Sequence, residues 1–321
     1  MEPQVCKIKE YRIEAGAAKR KVTVALTGDW HISHIVGPRQ QAFLRESLGK
    51  IQPDVILVQG DMVDSPAALK ETRLRAQLVD TLSSCAKIAP TLAVLGNHDL
   101  VDPGKKVVGK RRQKTTFAHF LSERVLPEAE KAWREVCEEA GVRLLLDETV
   151  ELAGIRFFGF YQDAKCSFKD GRWQDNLEED RRKLKELRKA GKLAPKAGKI
   201  NWFLAHAPMG KLMDEAELFE GFDVVSFGHT HGGCIPRGLD EIFDWLGYTG
   251  GLYGPFGKIL PLRQMRGKEK LPGGGAMIIN TGMVFAQECA PEFLQKLNWM
   301  KAAEVTSVCV VPGMGLGPIT R

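Results

Sequence analysis

An α/β fold built on mixed sheets is the class this sequence predicts, and three observations predict it. Five short apolar, β-branched runs recur along 321 residues; each leads at once into a cluster of Gly, Asp, Asn or His; and helical periodicities lie between the early runs. Strands that feed polar loops and alternate with helices are βαβ units, and in open α/β sheets ligands sit beyond the carboxyl ends of strands, where all five clusters fall. Residues far apart in sequence are thereby expected to converge.

The five runs are Val22 to Thr27, Val55 to Gln59, Leu92 to Leu95, Trp202 to Ala205 and Val224 to Phe227. Helical patterns cover Gln40 to Leu48 and Ala67 to about Ile88, the second opened by Asp64-Ser65-Pro66 as cap and first turn. Further helices are expected at Glu128 to Ala140, Leu177 to Ala190, Lys211 to Phe219 and Pro291 to Met300, and further strands at Ile155 to Phe160, Ala276 to Asn280 and Val305 to Val311. Shorter intervals among the later strands point to an antiparallel part. Residues 1–321 read as a single domain with an irregular apolar excursion at about 235–275, in which Trp245, Tyr248, Tyr253 and Phe256 stand among glycines and prolines. Long irregular segments of this kind tend to be functional, so the excursion is expected to cover the site or touch a lipid surface.

Composition narrows the class. With 44% hydrophobic and 27% charged residues the chain can bury a full core and is not a disordered protein. A formal charge of +6 gives a mild preference for anionic partners without implying nucleic acid. The basic stretches Lys105 to Lys114 and Arg181 to Lys199 read more simply as solvated faces than as anion-binding surfaces. Seven scattered cysteines without a Cys-x-x-Cys pair indicate a reducing compartment. Apolar runs are strand-sized and Lys7, Lys9, Glu10, Arg12 and Glu14 crowd the start, so neither a membrane span nor a signal peptide is read, and a cytoplasmic location is expected.

Five of the seven histidines, His31, His98, His206, His229 and His231, stand just after the apolar runs, with Asp29, Asp61 and Asn97 beside them. Asp29 and His31, two apart at a strand end, can grip one cation. Asp61 follows a glycine at the next strand end, and its two oxygens can bridge two metals. In Gly96-Asn97-His98-Asp99 the neutral amide of Asn97 can bind a cation without cancelling its charge, which leaves His98 for proton transfer and Asp99 to orient it or raise its pKa. His206 adds a neutral nitrogen. His229 and His231, about 7 Å apart on an extended backbone, suit two metals. Donors of this mixed kind, without thiolates, favour a catalytic centre of Mn²⁺ first, with Fe, Zn²⁺ or Mg²⁺ as alternatives, over a structural zinc. Two divalent ions less Asp29, Asp61 and a bridging hydroxide leave a net charge of about +1 to draw in a phosphate, with His98 protonating the leaving group after in-line attack. Of the remaining residues, His34 reads as a loop residue, His119 as structural, and Trp30 as packed away from the metals.

The order Asp-x-His, Gly-Asp, Gly-Asn-His-Asp, His, Gly-His-x-His, from about Val22 to Gly233, resembles the calcineurin-like metallophosphoesterase superfamily, and most of all its bacterial phosphodiesterase-like members with a Gly-His-Thr-His-Gly-Gly run. The resemblance implies a four-layer α/β/β/α sandwich with two mixed sheets, the metallophosphoesterase fold. It also implies that Asp29, His31 and His231 hold one metal, that Asn97, His206 and His229 hold the other, and that Asp61 bridges them. Cys234 stands where that subgroup often has glutamine, and Asn280-Thr281-Gly282 where arginine is frequent; both departures bear on the substrate. Ser65 after Asp64 and Asp99 after His98 depart from the protein phosphatases of the superfamily. The expected activity is hydrolysis of a small phosphodiester, nucleotide or lipid-linked pyrophosphate, with a phosphomonoesterase, a nuclease and a non-catalytic scaffold as rivals. Peripheral membrane contact fits the excursion, nucleic acid is not favoured as a partner, and no obligate protein partner is evident.

Overall fold

A computed structural model describes residues 6–34, 38–102, 124–125, 129–162, 167–169, 172–174, 177–230, 267–272, 275–280, 282 and 303–313. In chain order the strands are β1 (Cys6–Ala15), β2 (Val22–Thr27), β3 (Val55–Val58), β4 (Thr91–Ala93), β5 (Val101–Asp102), β6 (Arg124–Val125), β7 (Arg143–Leu144), β8 (Glu148–Leu152), β9 (Ile155–Gly159), β10 (Ser167–Lys169), β11 (Arg172–Gln174), β12 (Ile200–Leu204), β13 (Val224–Phe227), β14 (Gly267–Lys270), β15 (Ala276–Ile279) and β16 (Ala303–Pro312). The helices are α1 (Pro38–Ile51), α2 (Thr72–Ile88), α3 (Asn97–Leu100), α4 (Ala129–Ala140), α5 (Leu177–Lys189) and α6 (Ala216–Phe219).

Two six-stranded sheets carry the fold, in the orders β1-β16-β2-β3-β4-β7 and β14-β15-β13-β12-β9-β8. Both are mixed. In the first, β2, β3, β4 and β7 run parallel while β16 is antiparallel to β2; in the second, β9, β12, β13 and β15 run parallel between the antiparallel edges β8 and β14. Two small hairpins, β5 with β6 and β10 with β11, stand apart.

Strand periodicity explains why the sheets stack. Val22, Val24 and Leu26 of β2, Val55 and Leu57 of β3, and Ile200, Trp202 and Leu204 of β12 share one core layer between the sheets. The alternate residues Ala25, Ile56 and Val58 face a second layer against α1, α2 and α4, while Phe203 and Ala205 face a third against α5 and α6. Strands buried on both faces need helices outside, which makes the order α/β/β/α. Each fully buried Leu, Ile or Phe contributes roughly 1.5–3 kcal/mol of this stacking.

Two expected helices are broken. Ser65 does cap a turn, accepting from the Ala67 N–H at 3.3 Å, but Pro66–Lys70 winds as a 3₁₀ turn, Glu71 is extended, and α2 starts at Thr72. Likewise Gly210–Asp214 is 3₁₀, and only Ala216–Phe219 is α-helical. In both, adjacent buried pairs (Ala68 and Leu69, Leu212 and Met213) replace a 3.6-residue stripe, and tertiary burial decides the winding. The expected helix at Pro291 to Met300, and the excursion apart from β14 and its flanks, lie outside the described residues. Among the described residues no helix is long and apolar enough to cross a membrane.

Candidate metal centre

Every sequence-predicted site residue that is described lies at the carboxyl ends of β2, β3, β4, β12 and β13, and the loops there are cross-linked. Asp29 N–H donates to the Gly60 carbonyl at 2.8 Å, and the His31 and Ile32 N–H groups to the Asp61 and Met62 carbonyls, each at 3.0 Å. Asp29, His31 and Asp61 all take left-handed backbone, with φ of 50°, 46° and 50°. Such backbone is uncommon in residues other than glycine. The two-residue spacing of Asp29 and His31 therefore works through a turn, not through an extended strand end. His229, at φ 67°, also leaves the extended backbone on which its spacing to His231 was reckoned. His231 itself, with Cys234, lies outside the described residues.

Close packing of the loops depends on two glycines. A Cβ on Gly60 would come within 2.5 Å of the Gly96 backbone nitrogen and 2.8 Å of His206 Nδ1, and one on Gly96 would collide with Asp61. With hydrogen atoms there, Asp61 reaches both halves of the site. Its Oδ1 accepts the His98 backbone N–H at 2.9 Å, while Oδ2 faces His206 Nε2 at 3.2 Å and His31 Nε2 at 3.8 Å.

His206 carries the test of whether a cation fits. Its Nδ1 lies 2.7 Å from the Gln59 carbonyl oxygen, which assigns a proton to that nitrogen. Nε2 then meets three further electron donors: Asn97 Oδ1 at 3.1 Å, His229 Nδ1 at 3.0 Å and Asp61 Oδ2 at 3.2 Å. One proton on Nε2 can serve only one of them, whereas a cation serves all four. The clusters Asp61-His206-His229 and Asp29-His31-Asp61 each gather donor atoms within 4.8 Å of one another. Imidazole and carboxylate donors in this mixture suit divalent first-row metals.

Charge bears the same reading. Burial opposes ionisation of Asp61, but the imidazoles of His206, His98 and His31 outweigh it and hold the carboxyl well below the ordinary range. Burial would depress His206, yet Asp61 pushes it up to about 9, a measure of the site's demand for positive charge.

The acids around His98 differ from expectation. Asp99, expected to orient His98, instead braces backbone: Oδ1 accepts from Met62 N–H at 2.9 Å and Val63 N–H at 3.2 Å, and Oδ2 from Gly96 N–H at 2.9 Å. Burial and the charge of Asp61 raise its carboxyl to about 7. The residue at the His98 ring is Asp64, whose carbonyl oxygen lies 3.0 Å from Nδ1 and whose Oδ1 lies 3.8 Å from it; the same Oδ1 is 3.3 Å from His31 Nδ1. Burial lowers the His98 pKa, but Asp61 and Asp64 raise it overall, with Asp99 adding least. Sequence reasoning read Asp64 only as a helix cap; its signal was the Asp61-x-x-Asp64 spacing within one loop.

The plainer readings stand where they can be judged. His34 is exposed and pairs with Glu71 at 3.1 Å, and Trp30 is buried in the helix-facing core with its indole N–H on Thr27 Oγ1 at 2.9 Å. On α5 three cations of the basic run are ion-paired: Arg181 meets Glu215 at 2.6 Å, Arg182 meets Glu186 at 3.0 Å, and Lys183 meets Asp147 at 2.7 Å. His119 and the stretch Lys105 to Lys114 lie outside the described residues.

Residues 22–233 match the calcineurin-like phosphoesterase family, a span that holds all seven expected ligands. The chain belongs to that family. Among curated proteins it is similar to the SbcD component of the nuclease SbcCD from Staphylococcus epidermidis, 24% identical over 233 residues that cover 64% of this chain and 55% of that protein. The chain thus spans about half the length of this curated relative. Among solved structures it is similar to a dimetal phosphatase from Danio rerio (10% identity, TM-score 0.46, 83% of this chain and 88% of that one). It is also similar to the phosphopantetheinyl hydrolase of Mycobacterium tuberculosis (12%, 0.37, 70% and 86%).

Proposed function

We propose that this calcineurin-like phosphoesterase is a dinuclear enzyme that hydrolyses a phosphodiester or pyrophosphate. The observation that carries the reading is the shared carboxylate: Asp61 belongs to both donor clusters, and its Oδ2 lies 3.2 Å from His206 Nε2 and 3.8 Å from His31 Nε2. Asp29 and His31, with His231, would hold one cation; Asn97, His206 and His229 would hold the other; Asp61 would serve both. Mn²⁺ is the first choice for this oxygen and nitrogen set, ahead of Fe, Zn²⁺ and Mg²⁺. Two divalent cations supply Lewis acidity toward a phosphoryl oxygen and a water acidic enough to attack at neutral pH.

The chain's own residues do the rest. Asp64 fixes the His98 ring through Nδ1, which leaves Nε2 to pass a proton to the leaving oxygen. Asp29 and Asp61 would cancel two of the four positive charges of two divalent cations, which leaves a positive centre to draw in a phosphate anion.

The nuclease relative supports a second reading, a polynucleotide diester as substrate. Turnover of Mn²⁺-loaded protein on bis(4-nitrophenyl) phosphate, 4-nitrophenyl phosphate and single-stranded DNA tests these readings together. Diester turnover at least about tenfold above monoester is expected; the reverse ratio overturns the diester assignment, and preference for DNA replaces the small diester with the nucleic acid.

A further inference from the structure

Asp29 sits in a slot whose walls are backbone. Its carboxylate accepts the His229 N–H, at 3.1 Å to Oδ1 and 3.2 Å to Oδ2, and a Cβ on Gly228 would lie 2.9 Å from Oδ2. The opposite wall is Gly282, with φ 71°, where a Cβ would lie 2.5 Å from Oδ2, 2.7 Å from Cβ and 2.9 Å from Cγ of Asp29. No side chain other than hydrogen fits there without moving the carboxylate.

The Gly228 wall is held by its own sheet, through N–H to the His206 carbonyl at 2.8 Å. Gly282 lies past the end of β15, and it is held both by Asn280 at that strand end and by β16 of the neighbouring sheet. Its N–H donates to Asn280 Oδ1 at 3.2 Å and its carbonyl accepts the Glu304 N–H at 3.3 Å. Asn280 Oδ1 also accepts the Thr306 hydroxyl at 3.2 Å, a hydroxyl that lies equally close to Glu304 Oε1. Glu304 and Thr306 face the layer between the sheets, and Glu304 is 4% exposed.

Asn280 is fully buried, yet its Nδ2 has no hydrogen-bond partner among the described residues. An unsatisfied buried donor costs about 1–3 kcal/mol, so an apolar residue of the same shape would be cheaper at this position. What the amide gives in return, among the described residues, is an acceptor for the Gly282 N–H.

We propose that Asn280 is a positioning residue for the metal centre, clamping the Gly282 backbone against Asp29 so that its carboxylate is presented in one geometry. The proposal rests on the reading of Asp29 as a ligand. It assigns part of the site to Asn280 and Gly282, beyond the matched span of 22–233. Groups that orient a metal ligand from behind typically carry about 10–100-fold in metal affinity.

The test is Mn²⁺ titration of the metal-free full chain by calorimetry, with circular dichroism melting of the same samples. Asn280→Leu keeps the shape and loses the acceptor; it should bind one of two Mn²⁺ ions about 10–100-fold more weakly. Asn280→Asp keeps an oxygen acceptor for the Gly282 N–H but replaces Nδ2 with an oxygen that can ionise beside Glu304, and should retain clearly more Mn²⁺ affinity than Asn280→Leu. Gly282→Ala reaches the same point by collision and should weaken the same ion. Asn201→Ala, which removes a buried amide at the opposite end of β12, controls for general loss of stability and should leave affinity unchanged. Normal two-site binding by a folded Asn280→Leu, or equal losses for Asp and Leu, overturns the clamp while leaving the metal centre standing. No Mn²⁺ binding by the wild type overturns both.

Discussion

The first sheet and the second bring different things to the centre, in different ways. β2, β3 and β4 deliver both carboxylates, the Asn97 amide and His31 on three adjacent parallel strands, and their loops brace one another: Asp29 on Gly60, His31 on Asp61, and the backbone of Met62, Val63 and Gly96 on the side chain of Asp99. β12 and β13 deliver His206 and His229, and these lean across the gap, His206 on the Gln59 carbonyl and the His229 N–H on Asp29. Apart from the slot around Asp29, whose walls come from the second sheet, the first half is braced internally and the second leans on the first. Damage to the first half should therefore spread to both cation positions, and damage to the second should stay local.

The largest effect tests the link itself. Asp61→Ala removes the carboxylate common to both clusters, so Mn²⁺ stoichiometry should fall below one per chain and diester turnover should drop on the order of 10⁴-fold, the scale of losing a central catalytic group. Retention of two tightly bound ions would dissolve the comparison, because the halves would then be independent. His98→Ala sharpens it from another side. The ring belongs to the braced half and carries the proposed role of proton donor, so both ions should remain by metal analysis while turnover falls about 10³-fold, within the range of general acid catalysis. A leaving group of low pKa should recover much of that loss, since it needs no proton.

Much of this architecture was legible in the residues. β2 and β13 occupy the predicted runs residue for residue, and the five polar clusters do meet at one end of the sheets. β1 was not read, although Tyr11, Ile13 and Ala15 alternate with Arg12 and Glu14. It is an edge strand with a charged outer face, and its parallel partner β16 lies at the other end of the chain, a pairing that no local pattern encodes. In the site, residue types at strand ends revealed the donors, but not which acid serves which histidine. Asp99 adjoins His98 in sequence and turns to backbone, while Asp64, on another loop, reaches the ring. That exchange depends on left-handed turns at His31 and Asp61, which are set by contacts between loops.

Asp99 offers the test of internal bracing. Replacing it with alanine leaves three buried N–H groups without acceptors, at about 1–3 kcal/mol for each unsatisfied group; partial relaxation should reduce the total to about 3 kcal/mol. Chemical denaturation of the metal-free protein should show that loss, and Asp99→Asn, whose amide oxygen still accepts, should recover part of it. Had Asp99 been a partner of His98 in catalysis, the denaturation midpoint would hold and turnover alone would fall.

The smallest and most local effect is expected in the second half. His229→Ala removes one donor from the Asp61-His206-His229 cluster and leaves untouched every cross-link among the β2, β3 and β4 loops, since the His229 N–H to Asp29 is made by backbone. One Mn²⁺ ion should then bind at least about 10–100-fold more weakly while the other keeps its wild-type affinity and the metal-free protein its stability. His31→Ala, its counterpart, removes a ring that packs edge-on against His98 at 4.6 Å and lies beside both Asp61 and Asp64, so it should disturb affinity and stability together. If calorimetry instead shows both ions weakened equally by His229→Ala, the second sheet organises the first as much as the reverse, and the asymmetry between the halves is lost.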